Sequence, residues 1–160
     1  MKTVLCVDDQ EAGLEIRKLL LESLGYSVII AATGAEALAA VRREPVDLVI
    51  LDYRLADATG EEVARELKRT DPNLPILLLS GFPSVPDSAR GAVDAFIVKG
   101  DPTDAFLRTI ESLLGSRAAT SASQRETNTG SSKKIVERSE ELMQRSEALY
   151  DRLRRRKTGT

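Results

Sequence analysis

Five short apolar runs, each followed by a stretch with helical periodicity, limit what this chain can fold into more than any other feature. The runs are "TVLCV" (3–7), "SVIIA" (27–31), "DLVIL" (47–51), "PILLL" (75–79) and "AFIV" (95–98). They are mostly unbroken rather than alternating, the pattern of strands buried on both faces of a parallel sheet. Between the first two, "EAGLEIRKLLLESLG" sets Leu14, Ile16, Leu19, Leu20 and Leu24 at largely helical spacing and closes on Gly25. "GAEALAAVRRE" and "GEEVARELKRT" predict second and third helices, the third capped by Thr59 and stopped before Pro72. "PTDAFLRTIESLLG" predicts a fifth, with Pro102 in its first turn and Gly115 at its end. The fourth connection, "GFPSVPDSARG", holds two prolines and two glycines, so its helix cannot exceed about two turns. Five βα units in series predict a doubly wound α/β fold with helices on both faces of the sheet. Ligands in such a sheet bind beyond the carboxyl ends of the strands.

Those ends carry the chemistry. Asp8 and Asp9 follow the first strand, Asp52 ends the third, Ser80 ends the fourth and Lys99 ends the fifth. If these strands are neighbours, three carboxylates, a hydroxyl and an ammonium converge on one crevice. Carboxylates so crowded raise one another's pKa unless a cation neutralises them, and an all-oxygen donor set suits Mg2+. Each residue also has a plainer role: Asp8 or Asp9 as a helix cap, Ser80 as a turn residue before Gly81, Lys99 as a solvated strand end. Asp52 fits no such role, because a carboxylate directly after "LVIL" is costly to bury and no helix starts until about Thr59. Singly the signals are weak, but their joint placement at four of five strand ends is not.

With these residues in view, "VLCVDDQ", "DLVILDYRLADATGEE", "PILLLSG" and "DAFIVKG" resemble the signature segments of bacterial two-component response-regulator receiver domains, over roughly residues 1–115. The resemblance implies a flavodoxin-like (βα)5 fold with a five-stranded parallel sheet in the order 2-1-3-4-5. It implies that Asp52 is the phosphoacceptor, and that Asp9, Asp52 and the backbone carbonyl of Arg54 hold Mg2+, with Asp8 acting largely through water. Ser80 would bond the phosphoryl group, Lys99 would pair with it, and Phe96 would be the switch aromatic. The donor would be a histidine kinase or phosphotransfer protein bearing a phosphohistidine, or a small acyl phosphate. Such a chain is a phosphoaccepting switch rather than a dedicated enzyme.

The chain departs from that family in two places. Receivers commonly carry proline after the fifth-strand lysine, where this chain reads "VKGDP", and Gly100 is expected to leave the lysine's loop less constrained. The stretch from Ser80 to Lys99 is also about three residues short, about one helical turn. Both departures touch the face of the fourth helix, fifth strand and fifth helix, and they are the only support for a competing reading, a phosphorylation-independent receiver-like scaffold. Arg54 and Phe82 occupy positions that tune dephosphorylation in the family. A phosphatase of another doubly wound fold would want a second acidic residue two places beyond the nucleophile, where Arg54 stands, and a guanidinium cannot give up a proton.

Composition narrows the rest. The 160 residues contain no histidine, which excludes a Ser-His triad, a histidine-bearing zinc site and a phosphohistidine on this chain. The single cysteine, Cys6, lies in an apolar run and reads as a small buried hydrophobe. No apolar stretch approaches the length of a membrane span and "MKTVLCVDDQ" lacks the features of a signal peptide, so a cytoplasmic protein is expected. Residues 116–132, "SRAATSASQRETNTGSS", read as a flexible linker. Beyond them "IVERSEE", "LMQRSEA" and "LYDRLRR" repeat with period seven and predict an amphipathic, coiled-coil-like helix over 133–157. Its apolar column of Ile135, Leu142 and Leu149 calls for a partner: another protein, a second copy, or the receiver itself. Residues 131–160 carry a local charge of +4 against −6 on the remainder. "RLRRRK" lacks the recognition helix or stacking aromatics of a nucleic-acid reader, so protein contact is the expected output. No DNA-binding output domain is expected in about 45 residues without a globular core.

Overall fold

The computed structural model describes residues 1–121, with side chains through residue 115. Five βα units follow one another: β1 Thr3–Val7, α1 Glu11–Ser23, β2 Ser27–Ala31, α2 Gly34–Arg43, β3 Leu48–Asp52, α3 Gly60–Thr70, β4 Ile76–Ser80, α4 Asp87–Gly91, β5 Ala95–Val98 and α5 Thr103–Ser121. The strands form one parallel sheet in the order β2-β1-β3-β4-β5, as the family resemblance implies. The chain winds outward from β1 to β2, then crosses back to place β3 on the other flank of β1. That reversal opens a crevice between the carboxyl ends of β1 and β3, where Asp8, Asp9 and Asp52 lie.

Pleat alternation divides the core in two. Val4, Cys6, Leu48, Ile50, Leu77 and Leu79 face Leu14, Leu20 and Leu21 of α1 and Leu107, Ile110 and Leu114 of α5. Leu5, Val7, Val49, Leu51, Ile76 and Leu78 face Ala37 and Ala40 of α2, Val63, Ala64 and Leu67 of α3 and Ala89 of α4. The three central strands are buried on both faces because helices cover both. The edge strand β2 departs from the expected pattern: only Ala31 is fully buried and Ile30 is exposed, since one flank has no neighbouring strand. Cys6 is fully buried, and burial pushes its thiol up to about 12, so it behaves as a packed hydrophobe.

Helix ends follow local chemistry. Thr59 and Glu62 close a capping box at the start of α3, satisfying two otherwise orphaned backbone donors. Gly25 follows α1 in the left-handed region at φ 91°. The two prolines hold α4 to the five residues Asp87–Gly91, within the expected two turns. The end of α5 differs from expectation: the helix passes through Gly115 and ends at Ser121. Gly115 has no positive φ, so no left-handed cap stops the helix, and the following Arg and Ala residues are good helix formers. The linker expected from residue 116 therefore begins with helical backbone. Its remainder from residue 122 and the helix expected at 133–157 lie outside the described residues.

In α1 the buried residues are Leu14, Leu20 and Leu21, while Leu19 is 63% exposed. Leu14 and Leu21 are seven residues apart and share one stripe, from which Leu19 is turned well away. The expected apolar face was off by this rotation.

Gly60 is where α3 meets the end of β3. A side-chain carbon there would stand 2.6 Å from the Asp52 carbonyl oxygen, 2.8 Å from Leu78 Cδ1 and 2.9 Å from Tyr53 Cα. Two of these are backbone atoms and cannot yield without moving the strand. Gly60→Ala is expected to destabilise the fold by about 1–3 kcal/mol, read as a lower urea midpoint with an unchanged denaturant slope.

Candidate functional site

The strand ends deliver five of the predicted residues to one place. Asp8 is completely buried, Asp52 and Ser80 are nearly so, and Asp9 is exposed at the mouth. Carboxylate oxygens of Asp8, Asp9 and Asp52 all lie within 4.8 Å of one another. Lys99 enters from β5, and its Nζ stands 3.2 Å from Asp8 Oδ2 and 3.2 Å from Asp52 Oδ2. The ammonium thus sits between two buried carboxylates and offsets their repulsion.

Backbone contacts fix these groups. The amide of Lys99 donates to the Ser80 carbonyl at 2.6 Å, and that of Tyr53 to Leu79 at 2.8 Å. Asp8 Oδ1 accepts from the Gln10 amide at 3.0 Å, and Gln10, without a side-chain cap bond, is the N-cap of α1. Neither Asp8 nor Asp9 therefore caps that helix. Ser80 Oγ accepts from the Phe82 amide at 3.1 Å, so Ser80 is a turn residue as well as a site residue, and its hydroxyl proton stays available to an acceptor.

The loop after Lys99 is better fixed than the missing proline suggests. Gly100 takes φ 101°, the left-handed region that glycine enters freely. The turn is closed twice, by Asp101 N–H to the Val98 carbonyl at 3.0 Å and by Val98 N–H to Asp101 Oδ2 at 3.1 Å. Glycine supplies the bend and the Asp101 carboxylate supplies the restraint.

The remaining expected residues surround the crevice. Arg54 lies in the turn after Asp52, bridged to Thr59, and its guanidinium stacks 4.5 Å over the Phe82 ring. Phe96 is half-buried against the α2–α4 side of the core, with the Arg90 guanidinium of α4 5.1 Å from its ring centre. Two participants have no place in the sequence reading. Arg17 of α1 donates Nη2 to Asp8 Oδ2 in a short ion pair. Asp57 caps α2 from the β3–α3 loop, accepting from Gly34 at 2.9 Å and Ala35 at 3.2 Å. The stripe of Leu14 and Leu21 carried a signal for Arg17, which stands three residues after Leu14 on the same face. No local pattern announces a cap donated from 23 residues away.

The two buried carboxyls are driven in opposite directions. Burial pushes Asp8 up, but the Arg17 hydrogen bond, the Gln10 amide and the charges of Arg17 and Lys99 together hold it below the ordinary carboxylate range. Burial and then the neighbouring Asp8 charge push Asp52 above that range, against the pull of Lys99. Asp57, fully exposed, is held low chiefly by the Gly34 amide.

The response regulator receiver domain model matches residues 4–110. The chain belongs to the receiver family of response regulators. It is 36% identical over 114 residues to the transcriptional regulatory protein GlrR of Escherichia coli K12, a match covering 69% of this chain and 26% of GlrR. The chain thus spans about a quarter of that relative. It is 33% identical to the polar-differentiation response regulator DivK of Brucella anthropi, covering 71% of this chain and 97% of DivK. Among solved structures, a CheY-like receiver from Methanospirillum hungatei superposes with a TM-score of 0.70 at 30% identity, over 75% of this chain and 98% of the other. The regulator TrrA of Thermotoga maritima, solved with Mg2+ and BeF, gives 0.67 at 32% identity, over 71% of this chain and 99% of the other. As a receiver domain, the chain has its acidic cluster at the crevice where the fold places ligands. No helix among the described residues is long and apolar enough to cross a membrane.

The opposed shifts give a stability test. Asp8, held low, contributes stability above its unfolded titration range, lost as pH falls through its folded one. Asp52, held high, has the opposite sign: stability falls as pH rises from its unfolded pKa through its folded one. Asp52→Asn removes this buried charge while leaving Lys99 paired with Asp8. The substitution is expected to stabilise the fold by about 1–2 kcal/mol at pH 7, a gain that shrinks on acidification once Asp52 is protonated in the parent. Urea midpoints across pH 3–8 measure it.

Proposed function

We propose that Asp52 takes a phosphoryl group from a partner kinase's phosphohistidine and that the receiver acts as a switch in a two-component phosphorelay. The observation that carries this reading is Lys99 Nζ at 3.2 Å from both Asp8 and Asp52, beside an exposed third carboxylate, Asp9. The donor set is all oxygen and negatively charged, which fits Mg2+. Asp8, Asp9, Asp52 and the Arg54 carbonyl would hold the ion. When bound, Mg2+ supplies positive charge against the oxygens of the incoming phosphoryl group.

The chain's own residues do the rest. A carboxylate oxygen of Asp52 forms the bond to phosphorus as the P–N bond to the donor imidazole breaks, and the imidazole nitrogen keeps the electron pair and takes a proton from solvent. Lys99 already stands beside Asp52, so its charge is in place before the reaction and needs little reorganisation. The Ser80 hydroxyl can donate to a phosphoryl oxygen, drawing its loop inward. Ser80 is bonded through its carbonyl to the Lys99 amide, three residues beyond Phe96, and this gives the phosphoryl group a path to the α4–β5–α5 face. Phe96 turning into the space released by Ser80 would alter the protein contacts of that face. Later attack by water on the aspartyl phosphate resets the switch.

The scaffold reading loses ground. Its support was the missing proline and the short α4, yet Lys99 reaches both carboxylates and Asp101 closes its loop. The helix at 133–157 remains the proposed route to a downstream protein or a second copy, and the proposed location is the cytoplasm.

Incubation with acetyl phosphate and Mg2+ is expected to add one phosphoryl group by intact mass, absent for Asp52→Asn and after chelation of the metal. No addition to a demonstrably folded parent, with another receiver labelled in parallel, would favour the scaffold. The Arg54–Phe82 stack, in the turns that follow Asp52 and Ser80, would restrict the approach of water. Arg54→Ala and Phe82→Ala are therefore expected to shorten the aspartyl phosphate's lifetime, measured as loss of the mass increment after donor removal. An unchanged lifetime would remove the stack from the dephosphorylation step.

A further inference from the structure

Arg17 occupies a position built for an apolar residue and uses it to reach the acidic pocket. It stands between Leu14 and Leu21 on the buried stripe of α1, with its side chain only 13% exposed. Gly13 leaves the space: a side-chain carbon on Gly13 would lie 3.0 Å from Arg17 Nη2 and 3.5 Å from Asp8 Oδ2. The guanidinium is incompletely satisfied there, since Nη1 is buried without a hydrogen-bond partner. Arg17 and Lys99 both bond the same oxygen, Asp8 Oδ2.

We propose that Arg17 is a positioning residue that weakens Mg2+ binding in the receiver and favours the negative charge of the phosphoryl group. The inference rests on the phosphoacceptor reading above. Its basis is charge. Asp8, Asp9 and Asp52 against Lys99 and Arg17 give the pocket a formal charge of −1. A divalent ion makes it +1, and converting the Asp52 carboxylate to a dianionic acyl phosphate adds one negative charge and brings it to zero. Without Arg17 the balance moves by one unit: the metal-loaded resting site is neutral, and the phosphorylated one is negative. Arg17 thus opposes the metal and attracts the negative charge that phosphoryl transfer adds. It acts through Asp8, whose oxygen it shares with Lys99.

The test is Mg2+ affinity, measured by calorimetry or by amide shifts in NMR titrations, for the full chain and for Arg17→Leu, which suits the apolar stripe. Arg17→Gln serves as a second neutral variant, and thermal unfolding establishes that each is folded. Mg2+ is expected to bind the neutral variants at least about tenfold more tightly, from removal of one like charge near a divalent ion. Beryllofluoride, the phosphoryl mimic, is expected to bind the parent more tightly than the neutral variants at saturating Mg2+. Loss of a merely structural contact would leave affinity unchanged or weaken it, and either result overturns the proposal. Acetyl phosphate labelling separates the two readings. Labelling of the parent with equal Mg2+ affinities defeats only the role of Arg17. No labelling of parent or variants at saturating Mg2+ defeats the phosphoacceptor reading, and the inference with it.

Discussion

Two carboxylates taken out of water beside each other repel strongly, and a fold that buries Asp8 and Asp52 must answer that repulsion before anything else can be arranged. Lys99 answers it for both, at 3.2 Å from each, and Arg17 answers it again for Asp8. These contacts join elements far apart in sequence. The ammonium must arrive from β5, the guanidinium from α1, and the acids from β1 and β3. The 2-1-3-4-5 strand order satisfies this by placing β1 and β3 side by side with β5 two strands away, within reach of a four-carbon side chain. A conventional apolar core gives the sheet its stability, while the charge arrangement is concentrated in the crevice.

The four groups do not share their charges evenly. Asp8 takes both cations on one oxygen and a backbone amide on the other, so it stays ionised to low pH. Asp52 has Lys99 alone to set against burial and the Asp8 charge, and is driven upward. Two carboxyls with environments pushing them apart mark a division of labour. The better satisfied one suits holding ions in place. The less satisfied one gains most from a new electrostatic partner and has a lone pair less committed elsewhere, which suits a nucleophile.

Much of this was legible in the sequence, for a simple reason: strand ends in a doubly wound sheet are fixed by where apolar runs stop, and the reactive residues stand there. Asp8, Asp52, Ser80 and Lys99 could each be located from the end of a run. Where the reading went astray, the determining contact was not local. Ile30 is exposed because β2 is an edge strand, a fact of topology rather than of its own composition. Leu19 turns outward because the buried stripe of α1 runs through Leu14 and Leu21, and a leucine-rich helix offers several stripes to choose from. Gly115 has the identity of a helix terminator but not the left-handed backbone. Asp57 caps a helix to which it is not adjacent, and Arg17 lies on the stripe of Leu14 and Leu21 but has an acidic partner, Asp8, that the helix pattern alone does not name.

The lysine loop shows how one constraint can be met by different residues. What the site needs is not a proline but a short, repeatable path from the end of β5 to the lysine Nζ. Here Gly100 makes the bend, Asp101 bonds back to both backbone groups of Val98, and Lys99 is tied through its amide to Ser80. In the proposed switch the last link would matter most, because the residue that would bond a phosphoryl oxygen and the residue that would neutralise it are joined by one 2.6 Å hydrogen bond. Displacement of the Ser80 loop therefore cannot leave β5 unaffected. With α4 reduced to five residues, Arg90 stacked on Phe96 links β5 to that short helix.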